Sequence, residues 1–243
     1  MKAIIFAAGL GTRLKPLTNT IPKALVLLNG KPLLFHTINK LINAGVTHIV
    51  VNIHHFGEQI IDYLKNNRFA VPISISDERS MLLETGGALL KAATLLKNNE
   101  PVLAINVDII SSIDLEKMIQ HHLKSQALAT LAVRKRQTSR YLLFDPGMQL
   151  CGWENTSSSE KIVTRETSTQ LTPFAFSGIQ VLSPSFFGQL TENGKFSIIK
   201  SYLRLSRKHR VIGFHDQSPF WIDVGKPGEL KHAENYLNSI HSE

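Results

Sequence analysis

Apolar residues in this chain fall into short runs divided by glycine, proline and polar clusters, and the runs alternate in character. Residues 2–7 read as a strand, Lys2 leading into the apolar run Ala3-Ile4-Ile5-Phe6-Ala7, the pattern of a strand buried on both faces. Residues 9–22, punctuated by Gly9, Gly11, Pro16 and Pro22, predict a long loop. Over 32–44 the apolar positions Leu34, Ile38, Leu41 and Ile42 recur as a helical stripe, with Pro32 in the first turn and Gly45 as a stop. The same reading predicts strands at 48–52, 72–75, 102–105 and 129–133. Helices are expected at 58–65, 86–96 and 115–123.

Strand and helix thus alternate at the spacing of βα units. That predicts an α/β fold, a Rossmann-like, mainly parallel sheet flanked by helices. After residue 134 the pattern loosens. Residues 141–144 and 149–153 predict a hairpin about Asp145-Pro146-Gly147. The Ser- and Thr-rich stretch 155–172 is expected to be a mobile loop. A strand at 176–182, a helix at 198–207, a strand at 211–214 and a closing helix at 228–240 complete the pattern. With 243 residues and no internal repeat, one domain with an elaborated second half is the simplest organisation.

Composition narrows the class. Apolar residues make up 43% of the chain, an ordinary globular share. No apolar run approaches the roughly 20 residues needed to span a bilayer, and the apolar start is too short for a signal peptide. Cys151 is the single cysteine, so no intrachain disulfide can form. These features together predict a cytoplasmic protein. The formal charge is +8, and its distribution is informative: no Asp or Glu precedes Glu58, whereas Lys2, Arg13, Lys15, Lys23, Lys31 and Lys40 do. Scattered lysines are usually a solvated face, but Arg13 and Lys23 sit among glycines and prolines. A cationic, acid-free segment suits a phosphate-rich ligand. Nucleic acid is a poorer fit, because that segment has few aromatics to interleave with its basic residues. The run Arg134-Lys135-Arg136 is read as surface, and the His54-His55 and His121-His122 pairs, which lack zinc-ligand spacing, as structural.

The most specific signal is Ala7-Ala8-Gly9-Leu10-Gly11-Thr12-Arg13, followed by Pro16-Leu17-Thr18 and Pro22-Lys23-Ala24-Leu25. A strand enters a Gly-x-Gly turn, where glycine lets backbone N–H groups approach a phosphate. Thr12 adds a hydroxyl, Arg13 a cationic fork and Lys23 a mobile point charge. The dinucleotide fingerprint is excluded, because Leu14 stands where its third glycine belongs and no acid follows in range. The P-loop is excluded because Gly30-Lys31 is followed by Pro32.

These motifs resemble the nucleotidyltransferases that activate sugar 1-phosphates, whose signature is Gly-x-Gly-Thr-Arg, then Pro-x-Thr, then Pro-Lys-x-Leu. The resemblance implies that Ala8, Gly9, Gly11 and Thr12 hold a triphosphate. It also implies that Arg13 stabilises the charge of the reaction and that Lys23 contacts phosphate near the reacting centre. Three further segments fit. Glu84-Thr85-Gly86-Gly87 reads on its own as a helix start capped by Thr85; the resemblance assigns Gly86 and Gly87 to the base, a flat ring lying against the glycine backbone. Asn106-Val107-Asp108 ends an apolar strand, where ligands bind in open α/β sheets. Asp114 is the natural cap for the next helix, which frees Asp108 for magnesium. Asn106 joins the nucleotide-binding set, and Val107, in place of a glycine common in the family, is expected to narrow the site. In Trp221-Ile222-Asp223-Val224-Gly225 an acid between apolar residues needs a partner, and the resemblance makes Asp223 the second magnesium ligand.

On the sugar side, Phe176-Ser177-Gly178-Ile179 resembles the strand lining the sugar-phosphate pocket, giving Ser177 and Gly178. Glu160-Lys161-Ile162 is a poor match to the Glu-Lys-Pro segment that binds sugar hydroxyls in many relatives. Residues 1–134 are then the nucleotide-binding half and 135–243 the sugar-binding half with its closing helix. Compactness and the Glu84–Gly87 segment look most like the N-acetylmuramate-1-phosphate uridylyltransferases, which implies UTP and N-acetylmuramate 1-phosphate as substrates. Mannose-1-phosphate guanylyltransferases share the motifs and are the alternative. A catalytically silent nucleotide sensor on the same fold is a third reading, against which all of Arg13, Lys23, Asp108 and Asp223 are present.

Overall fold

The computed structural model describes residues 1–97 and 99–240, the side chain of Ile240 excepted. The chain opens with β1 (Lys2–Phe6), the centre of a parallel array. After the glycine loop and three single 3-10 turns come the short pair β2 (Leu27–Leu28) and β3 (Lys31–Pro32). Then follow α1 (Leu33–Asn43), β4 (His48–Ile53), α2 (Gly57–Asn66), β5 (Ile73–Asp77), α3 (Glu84–Leu96) and β6 (Val102–Asn106). Strands β5, β4, β1 and β6 lie side by side and parallel. In that register Phe6 pairs with Asn52 on one side and Asn106 on the other. The carboxyl ends of three strands therefore align, and the loops that leave them share one edge of the sheet.

The rest builds a mixed extension. After β7 (Ile109–Ser111), α4 (Leu115–Ser125) and β8 (Ala129–Arg134) come β9 (Arg140–Phe144), β10 (Leu150–Asn155), β11 (Glu160–Val163) and the long β12 (Thr172–Leu182). Helix α5 (Ile198–Ser206), β13 (Val211–His215), β14 (Trp221–Asp223) and α6 (Pro227–Ile240) close the chain. Strand β12 runs antiparallel to β6, β8 and β9, and so joins the parallel array to the β9–β10–β11 meander. The stretch expected as a mobile loop thus holds a strand, β11, and the start of β12. Its Ser and Thr residues fall mainly in the turn at 156–159, where Ser157 N–H donates to Asn155 Oδ1 (3.1 Å), and in the irregular segment 164–171. Ile162 packs against the core and fixes the strand that follows.

Alternation along the strands sorts side chains onto two faces. Ile4 and Phe6 join the cluster covered by α3 and α5, whereas Ala3 and Ile5 join the one covered by α1, α2 and α4. Ile4 and Ile5 are both fully buried, each stabilising the fold by roughly 1.5–3 kcal/mol. Asp114 caps α4, accepting the Lys117 N–H (2.8 Å), as expected. A third, smaller cluster joins Leu14, Val26 and Leu33 to Ile110, Phe220, Ile222 and Val224. It packs the glycine-loop segment against β14, which pairs antiparallel with β7. That contact brings the two ends of the chain together over the sheet edge. Among the described residues, no helix is long and apolar enough to cross a membrane.

Candidate active site

The loop after β1 carries the first group. Gly11 has φ +64°, a left-handed conformation open to glycine, and a Cβ there would lie 2.9 Å from Thr18 Cγ2 and 3.2 Å from Lys23 Cβ. The turn is held by Thr18 Oγ1, which donates to Gly11 O (2.8 Å), and by Leu14 N–H on the same oxygen (2.9 Å). A Cβ on Gly9 would meet nothing within 4 Å, so its backbone faces open space. Ala8 is buried beneath the loop, and Thr12 and Arg13 are exposed on it.

The charged centre forms where this loop meets the ends of β6 and β14. Lys23 is buried at 7% exposure. Its Nζ bonds Asp108 Oδ2 and lies 3.6 Å from Asp223 Oδ1. Arg13 Nη2 donates to Asp223 Oδ2 at 3.5 Å. The partner that an acid between Ile222 and Val224 demands is therefore a pair of cations. Gly225 makes room for one of them, since a Cβ there would lie 2.9 Å from the Arg13 Cζ. Burial pushes the Asp108 carboxyl above the usual carboxylate range; the Lys23 ammonium opposes this and the Asp223 carboxylate adds to it. Asp108 Oδ1 and Asp223 Oδ1 are both buried without a hydrogen-bond partner. Two acids sharing one lysine, each with an oxygen that accepts no hydrogen bond, form a donor set for a hard cation that takes its other ligands from phosphate. Among the described residues no group of three or more potential metal-ligating side chains exists.

Asn106, Ser177 and Gly178 adjoin this centre. Gly178, at φ +76°, sits where a Cβ would be 3.0 Å from Asn106 Nδ2. Ser177 O accepts the Trp221 indole N–H (3.0 Å), while Ser177 Oγ is buried and unpartnered. Sequence and structure differ at four points. Val107 does not narrow the site: it is 4% exposed, packed in the core with Ile105 and Ile109. Thr85 is not a cap; Leu83 holds that position, and Thr85 Oγ1 accepts the Ile198 N–H (3.1 Å). On the Cβ side of Gly86 and Gly87 the space is taken by the chain itself. Both N–H groups donate to Phe196 O (2.9 and 3.3 Å), and Cβ atoms there would lie 2.2 Å from Phe196 Cε2 and 2.3 Å from Gly194 O. Finally, Arg134 and Arg136 are not merely surface. Arg134 pairs with Asp216 (3.3 Å), and the Arg136 guanidinium stacks 4.5 Å from the centre of the Trp221 ring.

Sequence reading missed one buried network. Asn52 Oδ1 accepts the Ala7 N–H (2.6 Å), its Nδ2 donates to Glu78 Oε1 (2.8 Å), and Glu78 Oε2 accepts the Leu83 N–H (3.2 Å). The glycine loop is thus tied to the start of α3 through a fully buried carboxyl group, whose pKa burial raises. The available signal was Asn52 itself, a polar residue closing an apolar strand as Asn106 does. Glu78 gave no such signal. A cavity of about 510 Å³ between α1 and residues 109–116 does not include the charged centre in its walls. Lys40 lines it, bonded to Ser111, its pKa lowered to about 8 by burial with Asp216 opposing. His122, on Thr130 Oγ1 (2.8 Å) and Ser183 Oγ (3.1 Å), is a core residue, in keeping with its structural reading.

Comparison with known proteins gives the family. The family model for nucleotidyl transferases matches residues 2–239, and the chain belongs to that family. The N-acetylmuramate alpha-1-phosphate uridylyltransferase of Caulobacter vibrioides is 32% identical over 242 residues, 97% of this chain and 96% of that protein. The mannose-1-phosphate guanyltransferase beta-A of Xenopus laevis is 28% identical over 99% of this chain, which spans 66% of that protein. The UDP-glucose pyrophosphorylase structure from Acinetobacter baumanii superposes with a TM-score of 0.82 at 18% identity, covering 99% of this chain and 94% of that one. HddC from Yersinia pseudotuberculosis, complexed with GMP-PN, gives 0.77 at 24% identity, covering 97% and 99%. These structures share the fold. The resemblance to sugar-1-phosphate nucleotidyltransferases is borne out, and the chain is a nucleotidyltransferase.

Proposed function

We propose that this enzyme transfers a uridylyl group from UTP to N-acetylmuramate 1-phosphate and releases pyrophosphate. The observation that carries the reaction type is the charged centre of Arg13, Lys23, Asp108 and Asp223 at the strand ends beside the glycine loop. A phosphate oxygen of the sugar 1-phosphate attacks the α-phosphorus of the triphosphate. A new P–O bond forms as the bond to the β-phosphate oxygen breaks. The attacking oxygen is already nucleophilic, so no side chain has to remove a proton. The difficulty is the approach of two polyanions, and positioned cations lower it. In this reading Ala8, Gly9, Gly11 and Thr12 cradle the triphosphate, with Asn106 beside them. Arg13 meets the charge that develops on transfer, and Lys23 holds phosphate against the acids. Ser177 and Gly178 line the acceptor side.

Asp108 and Asp223, each with a carboxylate oxygen that accepts no hydrogen bond, would hold magnesium, which would neutralise phosphate charge and orient the triphosphate. The choice of UTP and N-acetylmuramate 1-phosphate is supported by the 32% match, which runs nearly end to end in both chains, and by the Glu84–Gly87 segment. Since Gly86 and Gly87 are filled by Gly194 and Phe196, base contact in this reading falls to the backbone preceding them. The test is a pyrophosphate-release screen of four nucleoside triphosphates against a panel of sugar 1-phosphates. UTP with N-acetylmuramate 1-phosphate is expected to give the highest kcat/KM. A higher value for GTP with mannose 1-phosphate would replace this substrate pair with the guanylyl one.

A further inference from the structure

Beside the charged centre lies an arginine, Arg136, that forms no ion pair with a carboxylate among the described residues. Arg13 and Lys23 both contact Asp223, and Arg134 is paired with Asp216 and Ser218 O (3.0 Å). Arg136, among the described residues, has no acid within ion-pair distance. Its Nη2 donates to Phe176 O (3.1 Å), and its Nε is buried with no partner. The guanidinium lies on the Trp221 ring, two residues from Asp223. Its neighbour Ser177 also has a buried, unpartnered hydroxyl, and the Ser177 carbonyl fixes the Trp221 ring. Two idle donors, Arg136 Nε and Ser177 Oγ, thus belong to one connected unit at the edge of the charged centre. A desolvated donor without an acceptor is costly, more so when it is charged. An anion arriving there removes that cost.

The other cation that the sequence offers for the acceptor side is Lys161, and the fold removes it. Lys161 is on β11, an edge strand separated from β12 by β10 and β9, roughly 14 Å across the sheet. Its side chain is exposed, with Glu154 at 4.0 Å. We infer that Arg136, held on Trp221 and assisted by Ser177, is the receptor for the phosphate of the sugar 1-phosphate acceptor. Arginine suits the task, because a planar fork held over an aromatic ring, with one N–H on Phe176 O, keeps further in-plane N–H groups for two phosphate oxygens. Asp223, close by, then faces the same phosphate through its own cations, so the acceptor is delivered beside the triphosphate loop.

This inference rests on the proposed transfer to a sugar 1-phosphate, and the experiment separates the two. Steady-state pyrophosphate release is measured for the wild type, Arg136→Ala and Arg136→Lys, varying each substrate in turn. Parallel titrations with inorganic phosphate alone are followed by Trp fluorescence or calorimetry. The expected result is a 10- to 100-fold rise in KM for the sugar 1-phosphate in Arg136→Ala. KM for the triphosphate should stay within twofold, and Arg136→Lys should fall between, because it keeps the charge and loses the fork. Inorganic phosphate should bind the wild type and bind Arg136→Ala at least tenfold more weakly. An unchanged sugar-phosphate KM, or equal rises in both KM values, overturns the role of Arg136. If the wild type releases pyrophosphate with no sugar-phosphate dependence, the functional reading fails, and the phosphate titration still decides whether Arg136 is an anion receptor. Thermal melts accompany each variant. Should Arg136→Ala not fold, Arg136→Lys decides, with a threefold or larger selective rise in the sugar-phosphate KM expected and none overturning.

Discussion

Replacing Gly225 by alanine should injure turnover while leaving the fold almost untouched. The Cβ that Gly225→Ala introduces would lie 2.9 Å from the Arg13 Cζ and Nη2 and 3.1 Å from Nη1. Carbon contacts settle at about 3.5–4.0 Å, so the guanidinium must retreat by roughly 0.5–1 Å. Its bond to Asp223 Oδ2 is already 3.5 Å and does not survive that shift. The retreat is cheap, because the Arg13 side chain is 59% exposed and Gly225 does not occupy the left-handed region. Stability should change by about 0.5 kcal/mol or less, a Tm shift of at most about 2 °C in a chain of this size. Catalysis is less forgiving. Misplacing a catalytic group by ~1 Å costs up to about 100-fold, and removing a preorganised donor outright costs about 10²–10³-fold. Pyrophosphate release at saturating substrates should therefore fall about 10- to 100-fold, with the triphosphate KM changed less than threefold. Scanning fluorimetry on the same preparations checks the fold. If the clash acts through Arg13, the substitution should add nothing in an Arg13→Ala background. A full multiplicative loss there, or an unchanged kcat in the single variant, would refute the argument.

Asp108→Asn and Asp223→Asn should each remove most turnover with melts close to the wild type; near-normal rates at saturating magnesium would take that residue out of the centre. Arg13→Ala should lower kcat by about 10²–10³-fold and alter equilibrium triphosphate binding far less, and equal losses in the two measurements would contradict a role in the transferring state. His122 is buried, and burial, with His121 adding to it, lowers its pKa from 6.5 to about 4. The unfolded chain therefore binds the extra proton between those values. Stability from this residue is complete above pH 6.5 and falls by up to about 3 kcal/mol as pH drops to 4. Urea unfolding of wild type and His122→Gln should show a stability difference that shrinks over that window, and a pH-independent difference would rule the effect out.

The residues of the charged centre and the alternation of strand and helix over the first 134 residues were legible in the linear chain. Runs such as 2–7 and 102–105 read as buried strands because their side chains face apolar layers on both sides, a condition that composition records directly. Arg13, Lys23, Asp108 and Asp223 stood out because each lies in a local motif of turn residues or at a strand end, where chain geometry within a few residues constrains chemistry. What each of them meets came only with the fold. Lys23 and Asp108 are 85 positions apart and Arg13 and Asp223 are 210 apart, and no periodicity encodes which loops share an edge of the sheet. The same limit explains the corrections. Val107 looked like a wall of the site because its facing depends on how β6 twists into the core. The Gly86–Gly87 pair looked like a floor for a ligand because glycine states that something comes close without stating what, and here it is Gly194 and Phe196. Arg136 read as one of three surface cations until β8 and β14 brought it onto Trp221. A local pattern fixes backbone conformation and chemical type; the contacts of a side chain across distant strands are set by packing, and only the folded chain supplies them.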